Sequence, residues 1–253
     1  NPNAIIVACG CMVQNKKEEI EDVDIILGNI GKSNIVDYIE EYTRTKNKKM
    51  DIKDIMNTSF ESMKLNNFNK TRAFVKIQDG CNNFCSYCII PYTRGNIRSK
   101  SREDVLEEVK SLINNGHKEI VLTGIHTGHY GSEFEDYDFA DLLNELVEIK
   151  GLERLRISSI EITELNEKVL DVMRRSNILV DHMHIPLQSG SNAVLERMNR
   201  KYDITYFKNK INEIRSIRPN MSITTDVIVG FPGETEEEFS EMVQNIKDIK
   251  FTK

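Results

Sequence analysis

From residue 72 onward the sequence repeats one grammar: a short apolar run, a glycine-rich or polar turn, then an amphipathic helical pattern. Alternation of this kind confines a chain to a parallel sheet or barrel, because a helix must carry each strand back to the starting edge of the next. Strands are expected at 72–78, 119–123, 154–160, 182–187 and 222–229, with a sixth starting at Phe251. The first helix opens at Ser101 with Asp104 three residues on, carries Val105, Leu106, Val109, Leu112 and Ile113 on one face, and stops at Gly116. Further helices are expected around 139–149, through Leu165, Val169, Leu170 and Met173, through 194–198, and through Phe207, Ile211, Ile214 and Ile217. A last one follows the capping box of Thr235 and Glu238. The fold class is α/β, and the array fits a partial (β/α)6 TIM-like barrel with its chemistry at the carboxyl ends of the strands. A doubly wound sheet obeys the same grammar and stays open as the alternative.

Ahead of that array, AIIVA at 4–8 reads as a buried strand delivering Cys9 and Cys11 to a turn, a second strand is expected at 23–27, and Ile35, Val36 and Ile39 mark one helix face. Residues 1–45 thus look like two β-α units, too few to close a domain alone. The stretch 46–70, rich in Lys, Asn, Asp and Ser with no clean period, reads as a linker, and 71–253 as the barrel. Residue 1 is not Met and the last residues break off at a strand start, so a fragment of a longer chain is expected.

Three of the five cysteines, Cys81, Cys85 and Cys88, fall within DGCNNFCSYCIIPYTRG at 79–95 with C-x3-C-x2-C spacing, directly after the first barrel strand. Three such thiolates suit a soft metal centre and would leave one iron of a 4Fe-4S cube without a protein ligand. The competing readings are a disulfide, a structural zinc site or unrelated buried thiols. A tetrahedral zinc wants a fourth ligand, usually from a second Cys or His pair, and none stands nearby. With no secretory signal, free thiols in a reducing cytoplasm are expected, which favours metal over disulfide. No apolar run approaches the roughly 18 residues of a membrane span. The net charge of −6 argues against nucleic-acid binding through bulk positive charge.

The other strand ends carry polar turns. LTGIHTGHYG at 122–131 holds Thr123 and Gly124, whose neighbourhood of glycines and free amides suits the polar end of a cofactor, while His126 and His129 read as loop residues rather than metal ligands. Ser159 and Glu161 follow the third strand, Gln188 the fourth and Gly230 the fifth, and Arg200 adds a cation for a carboxylate. Each turn alone could be a bland connection.

The C-x3-C-x2-C motif with Tyr87 before its last cysteine resembles the cluster motif of radical S-adenosylmethionine (SAM) enzymes. CMVQ at 11–14, PLQSGSNAVLERMNRKY at 186–202 and DVIVGFPGET at 226–235 are similar to the methylthiotransferases, and LTGIHTGHYG with RISSIE at 156–161 to their branch acting on N6-threonylcarbamoyladenosine next to the anticodon. Ile162 departs from the proline expected after SSIE. The resemblance implies a cytoplasmic tRNA-modifying enzyme that replaces the C2 hydrogen of that adenine at position 37 by a methylthio group. It implies one 4Fe-4S cluster on Cys81, Cys85 and Cys88 and a second held partly by Cys11, from an amino-terminal domain of which 1–45 is the last part. SAM contacts are implied at Tyr87, Thr123, Gly124, Ser159, Glu161, Gln188, Arg200 and Gly230. Implied partners are the tRNA anticodon stem-loop, bound mainly through a TRAM domain absent from this sequence, and an electron donor such as flavodoxin or ferredoxin, with no membrane. Isopentenyladenosine or a ribosomal protein as substrate, and a non-catalytic iron-sulfur RNA module, are the alternatives. Cys9 reads as a small buried residue.

Overall fold

The computed structural model describes residues 3–16, 20–64 and 70–253. At its start, β1 (Val7–Cys9), α1 (Cys11–Lys16), β2 (Ile25–Leu27), α2 (Ile35–Thr45) and β3 (Lys49–Asp51) build a parallel sheet of order β1-β2-β3. The third strand lies inside the stretch that sequence reads as linker. Three residues are too few to show a period, and β3 is held by pairing Lys49, Met50 and Asp51 to the fully apolar β2. The rest of that stretch is tied back too: Glu61 accepts from the Ser33 amide at 2.8 Å and the Gly31 amide at 3.1 Å. Residues 65–69 of it lie outside the described residues. Two expectations fail here. The AIIVA run at 4–8 forms a strand only from Val7 and has no buried residue, and Cys9 is exposed rather than buried, whereas the helix carrying Ile35, Val36 and Ile39 forms as expected at Ile35–Thr45.

The larger part runs β4 (Arg72–Lys76), β5 (Gln78–Asp79), α3 (Ile90–Arg94), β6 (Arg98–Ser99), α4 (Arg102–Asn114), β7 (Glu119–Thr123), α5 (Phe139–Val147) and β8 (Arg154–Ile157). It continues through α6 (Glu167–Arg175), β9 (His182–His184), α7 (Asn192–Arg197), α8 (Ile204–Ile217), β10 (Ser222–Thr224) and α9 (Glu236–Ile249). β4, β7 and β8 pair in parallel in that order, β9 pairs in parallel with β10, and a parallel bridge from Leu155 to Leu179 links the two groups. Beyond α9, the Thr252 amide donates to the Ile223 carbonyl at 2.8 Å and the Thr225 amide to the Lys253 carbonyl at 3.0 Å, where the sixth strand is expected. Among the parallel strands β4, β7, β8, β9 and β10, spatial order therefore follows chain order. A doubly wound sheet reverses at a switch point, so the barrel-type arrangement is the one adopted.

Burial explains why these segments form. Ala73, Val75 and Ile77 alternate inward from the first strand, and Leu112, Leu143, Leu146, Phe207, Ile211 and Ile214 cover the strands from the helices with almost no exposure. Each such side chain contributes about 1.5–3 kcal/mol on leaving water. The caps read from sequence are present: Ser101 accepts from the Asp104 amide, and Thr235 and Glu238 form a reciprocal box. Thr235→Ala should cost about 1 kcal/mol, read as a lower urea midpoint with an unchanged slope.

The observed strands are shorter than the apolar runs that announce them. β4 stops at Lys76, and Gln78 and Asp79 pair instead antiparallel with Ser99 and Arg98. β8 stops at Ile157, after which Ile160 donates to the His184 carbonyl at 3.0 Å. The carboxyl ends thus peel away from the sheet and form a mouth.

Candidate metal and cofactor site

The β5–β6 hairpin fastens both ends of the cysteine loop. At its base Asp79 is buried and accepts from Lys76 at 2.7 Å, Arg94 at 3.1 Å and Arg98 at 3.2 Å, while its Oδ1 also accepts from the Gly80 amide at 2.9 Å. Burial opposes ionisation of Asp79, but these three cations hold its carboxyl below the usual range. Gly80 has φ +75, and a Cβ there would sit 1.9 Å from the Asn96 carbonyl oxygen, so the tight turn into Cys81 requires glycine. The far side of the loop is clamped to α7: Ser86 donates to the Met198 and Arg197 carbonyls, and Asn199 to the Phe84 carbonyl at 2.9 Å.

The three cysteines, each partly exposed, line one side of a cavity of about 210 Å³. Across it, the Arg200 guanidinium points in three directions: Nη2 to Glu161 at 2.9 Å, Nη1 to Cys85 Sγ and to the Tyr87 hydroxyl at 3.4 Å each, and Nε to the Tyr202 hydroxyl at 3.2 Å. The side chains of Arg200 and Glu161 are 7% and 9% exposed, so this ion pair is sheltered from water. Glu161 also accepts from Asn83 at 3.0 Å and lies 3.2 Å from His126 Nε2. His126 Nε2 contacts Glu164 as well, and its Nδ1 lies 3.7 Å from Cys81 Sγ.

Burial disfavours charge on Glu161, yet the adjacent His126 ring and the Arg200 cation keep its carboxyl below the ordinary range. Burial likewise disfavours charge on His126, but Cys81, Glu161 and Glu164 around the ring push its pKa up to about 12. His129 moves down, through burial and the neighbouring His126. Burial also raises the Cys88 thiol, and it lifts the Tyr87 phenol to about 12. The site therefore concentrates fixed charges of both signs where water is scarce, which strengthens each interaction.

The profile of the Radical SAM superfamily matches residues 75–246. The chain belongs to the radical SAM superfamily. It is also 45% identical, over its full length, to the threonylcarbamoyladenosine tRNA methylthiotransferase MtaB of Bacillus subtilis, and 38% identical, over 99% of its length, to a tRNA-2-methylthio-N(6)-dimethylallyladenosine synthase of Clostridium botulinum. It spans 57% of each of those relatives. The radical S-adenosylmethionine methyltransferase TsrM from Kitasatospora setae has the same fold, with a TM-score of 0.59 at 17% identity over 72% of this chain and 34% of that one.

This radical SAM fold implies a 4Fe-4S cluster and SAM, and the residues present fit the cluster. Among the described residues, His126, His129 and Glu164 are the group of three whose ligand atoms all lie within 4.8 Å of one another; the thiols spread wider than a single tetrahedral ion needs, as they must if each reaches a different iron. The histidine group suits an ion poorly. Its imidazoles stack 4.1 Å apart with an interplanar angle of 16°, so their in-plane lone pairs lie in two nearly parallel, separate planes.

Of the sequence-read residues, the cavity gathers Cys81, Cys85, Tyr87, Cys88, Ser159, Glu161, Gln188 and Arg200. Thr123 and Gly124 stand behind its wall. Thr123 Oγ1 donates to the Val75 carbonyl at 3.3 Å, and a Cβ on Gly124 would meet Gln78. Gly230 is exposed with φ +72, its amide donating to Glu234 at 2.6 Å, away from the cavity. Cys11 lies at the start of α1, where Asn29 Nδ2 donates to its sulfur at 3.5 Å and to the Thr93 carbonyl at 2.6 Å. Burial raises the Cys11 thiol, but that bond and the Arg94 cation bring it below its ordinary value. Sequence reasoning missed Asn83, His126, Glu164 and the Gln78 brace. Only Gln78, a polar residue closing an apolar strand, left a trace.

Proposed function

We propose that this chain is the radical-generating part of a tRNA methylthiotransferase acting at C2 of N6-threonylcarbamoyladenosine 37. The supporting observation is the 45% identity over the whole chain to the threonylcarbamoyladenosine enzyme, against 38% to the dimethylallyladenosine synthase. In this reading residues 71–253 form the radical SAM domain and 1–45 belong to the methylthiotransferase amino-terminal domain. Cys81, Cys85 and Cys88 hold one cluster, and Cys11 holds part of a second. Partners are the tRNA anticodon stem-loop and a flavodoxin- or ferredoxin-like reductant, in the cytoplasm; among the described residues no helix is long and apolar enough to cross a membrane.

When bound, the first cluster supplies the electron that cleaves SAM reductively to a 5′-deoxyadenosyl radical. The chain's own residues bind, orient and shelter. Arg200 presents fixed donors to a carboxylate at the cavity wall. Ser159 and Gln188 add uncharged polar groups beside it, and Tyr87 lines the same cavity as the thiols. Ile90, Ile125 and Ile160 line the remaining wall and keep water from a reactive species. The radical is needed because C2 of the adenine carries no proton acidic enough for a general base.

Anaerobic reconstitution of the full-length protein, followed by SAM and dithionite, should yield 5′-deoxyadenosine, and background levels would refute the reading. Cys11→Ala should preserve that cleavage while abolishing methylthio transfer to tRNA. Normal transfer by this variant would remove Cys11 from the second cluster.

A further inference from the structure

His126 stands outside every role assigned above, yet it is among the most firmly placed side chains at the mouth. Gln78, fully buried, accepts at Oε1 from the Ile125 amide at 3.0 Å and the His126 amide at 2.8 Å. Its Nε2 donates to the Asp79 carbonyl at 2.9 Å and the Gly80 carbonyl at 2.8 Å, the two residues before Cys81. One side chain therefore fixes the histidine's backbone and the cysteine's approach together. The ring is held from three sides: Nδ1 faces Cys81 Sγ at 3.7 Å, Nε2 faces Glu161 at 3.2 Å and Glu164, and His129 stacks on its face. Glu164 is itself fixed, because its carboxylate accepts from the Glu161 amide at 3.3 Å.

The sulfurs receive different donors. Cys81 faces His126 and accepts from the Asn83 amide at 3.4 Å, whereas Cys85 accepts from Arg200 at 3.4 Å. Hydrogen bonds to cluster sulfurs stabilise the more negative, reduced state and so raise the reduction potential. Carboxylates set close to the far nitrogen of an imidazole hold the ring's orientation, as they do behind histidines that serve metals directly.

The geometry points to His126 as a positioning residue that donates from Nδ1 to Cys81 Sγ, anchored by Glu161 and Glu164, and thereby sets the potential of the cluster held by Cys81, Cys85 and Cys88. The inference rests on those three cysteines holding a cluster and is independent of the tRNA substrate. It is tested in full-length protein carrying Cys11→Ala, so that one cluster gives the spectrum, by an anaerobic redox titration followed by electron paramagnetic resonance. Three variants are compared at equal iron content. His126→Asn keeps a donor at the Nδ1 position, His126→Gln keeps only the reach to the carboxylates, and His126→Phe keeps neither.

His126→Phe and His126→Gln should make the cluster about tenfold harder to reduce, a lowering of about 59 mV for one electron. His126→Asn should stay within about twofold of the parent. Unchanged potentials in His126→Gln and His126→Phe, or an equal drop in all three variants, would overturn the inference. Should His126→Phe fail to retain iron, the Asn and Gln variants decide alone: equal potentials in that pair count against the donor. A parent protein that binds no iron would instead refute the cluster assignment.

Discussion

Replacing Cys85 with alanine is expected to reduce 5′-deoxyadenosine formation to background and to lower the iron of the full-length protein from about eight atoms to about four. The loss should be chemical, since the backbone around Cys85 does not depend on its sulfur. Ser86 and Phe84 are pinned to Met198, Arg197 and Asn199 on one side, and Asp79 anchors the loop through three cations on the other. The thiol is partly exposed, so folding stability should change by no more than about 1 kcal/mol, which a urea melt checks. Cleavage above background in a variant lacking this sulfur would mean that the thiols serve another centre.

The largest effect on stability is expected at Arg200. Breaking a buried ion pair by removing one partner costs about 3–5 kcal/mol, because the other charge is left behind in a poor solvent. In Arg200→Leu the Glu161 carboxylate keeps its contacts with Asn83 and His126, which places the cost toward the lower end of that range. Arg200→Lys should recover only part of it. A lysine ammonium is a single point of charge, whereas the guanidinium reaches Glu161, Cys85, Tyr87 and Tyr202 from fixed directions. Urea unfolding of the two variants checks the ordering, and equilibrium dialysis should show weaker SAM binding in both. A lysine variant equal to the parent in stability and SAM binding would contradict the role given to the planar fork.

The barrel grammar was legible because each strand and helix buries one face and so repeats a period. Spatial order was not, since a barrel and a doubly wound sheet impose the same local pattern. That question is settled by long-range pairing, from Arg72 of β4 beside Glu119 of β7 to the Thr252 amide on Ile223. β3 and the β5–β6 hairpin were invisible for a different reason: two or three residues cannot display a period, and tertiary pairing holds them. At the site, thiol spacing within one loop was readable, as were Glu161 as a charged residue after the third strand and Arg200 as a cation past the fourth turn. Their mutual contact crosses 39 positions of sequence, and the brace that Gln78 forms with His126 crosses 48. His126 sat in a glycine-rich turn that read as a connection, and the fold sets its Nδ1 beside Cys81 Sγ and its Nε2 beside the Glu161 and Glu164 carboxylates.

The most direct test of the substrate is nucleoside mass spectrometry of tRNA from a strain deleted for the full-length gene and complemented with it. The account predicts that methylthio-N6-threonylcarbamoyladenosine is absent from the deletion and returns on complementation, while the methylthio derivative of isopentenyladenosine is unchanged in both. A deletion that leaves the threonylcarbamoyladenosine derivative intact, or complementation that restores only the isopentenyladenosine one, would contradict it.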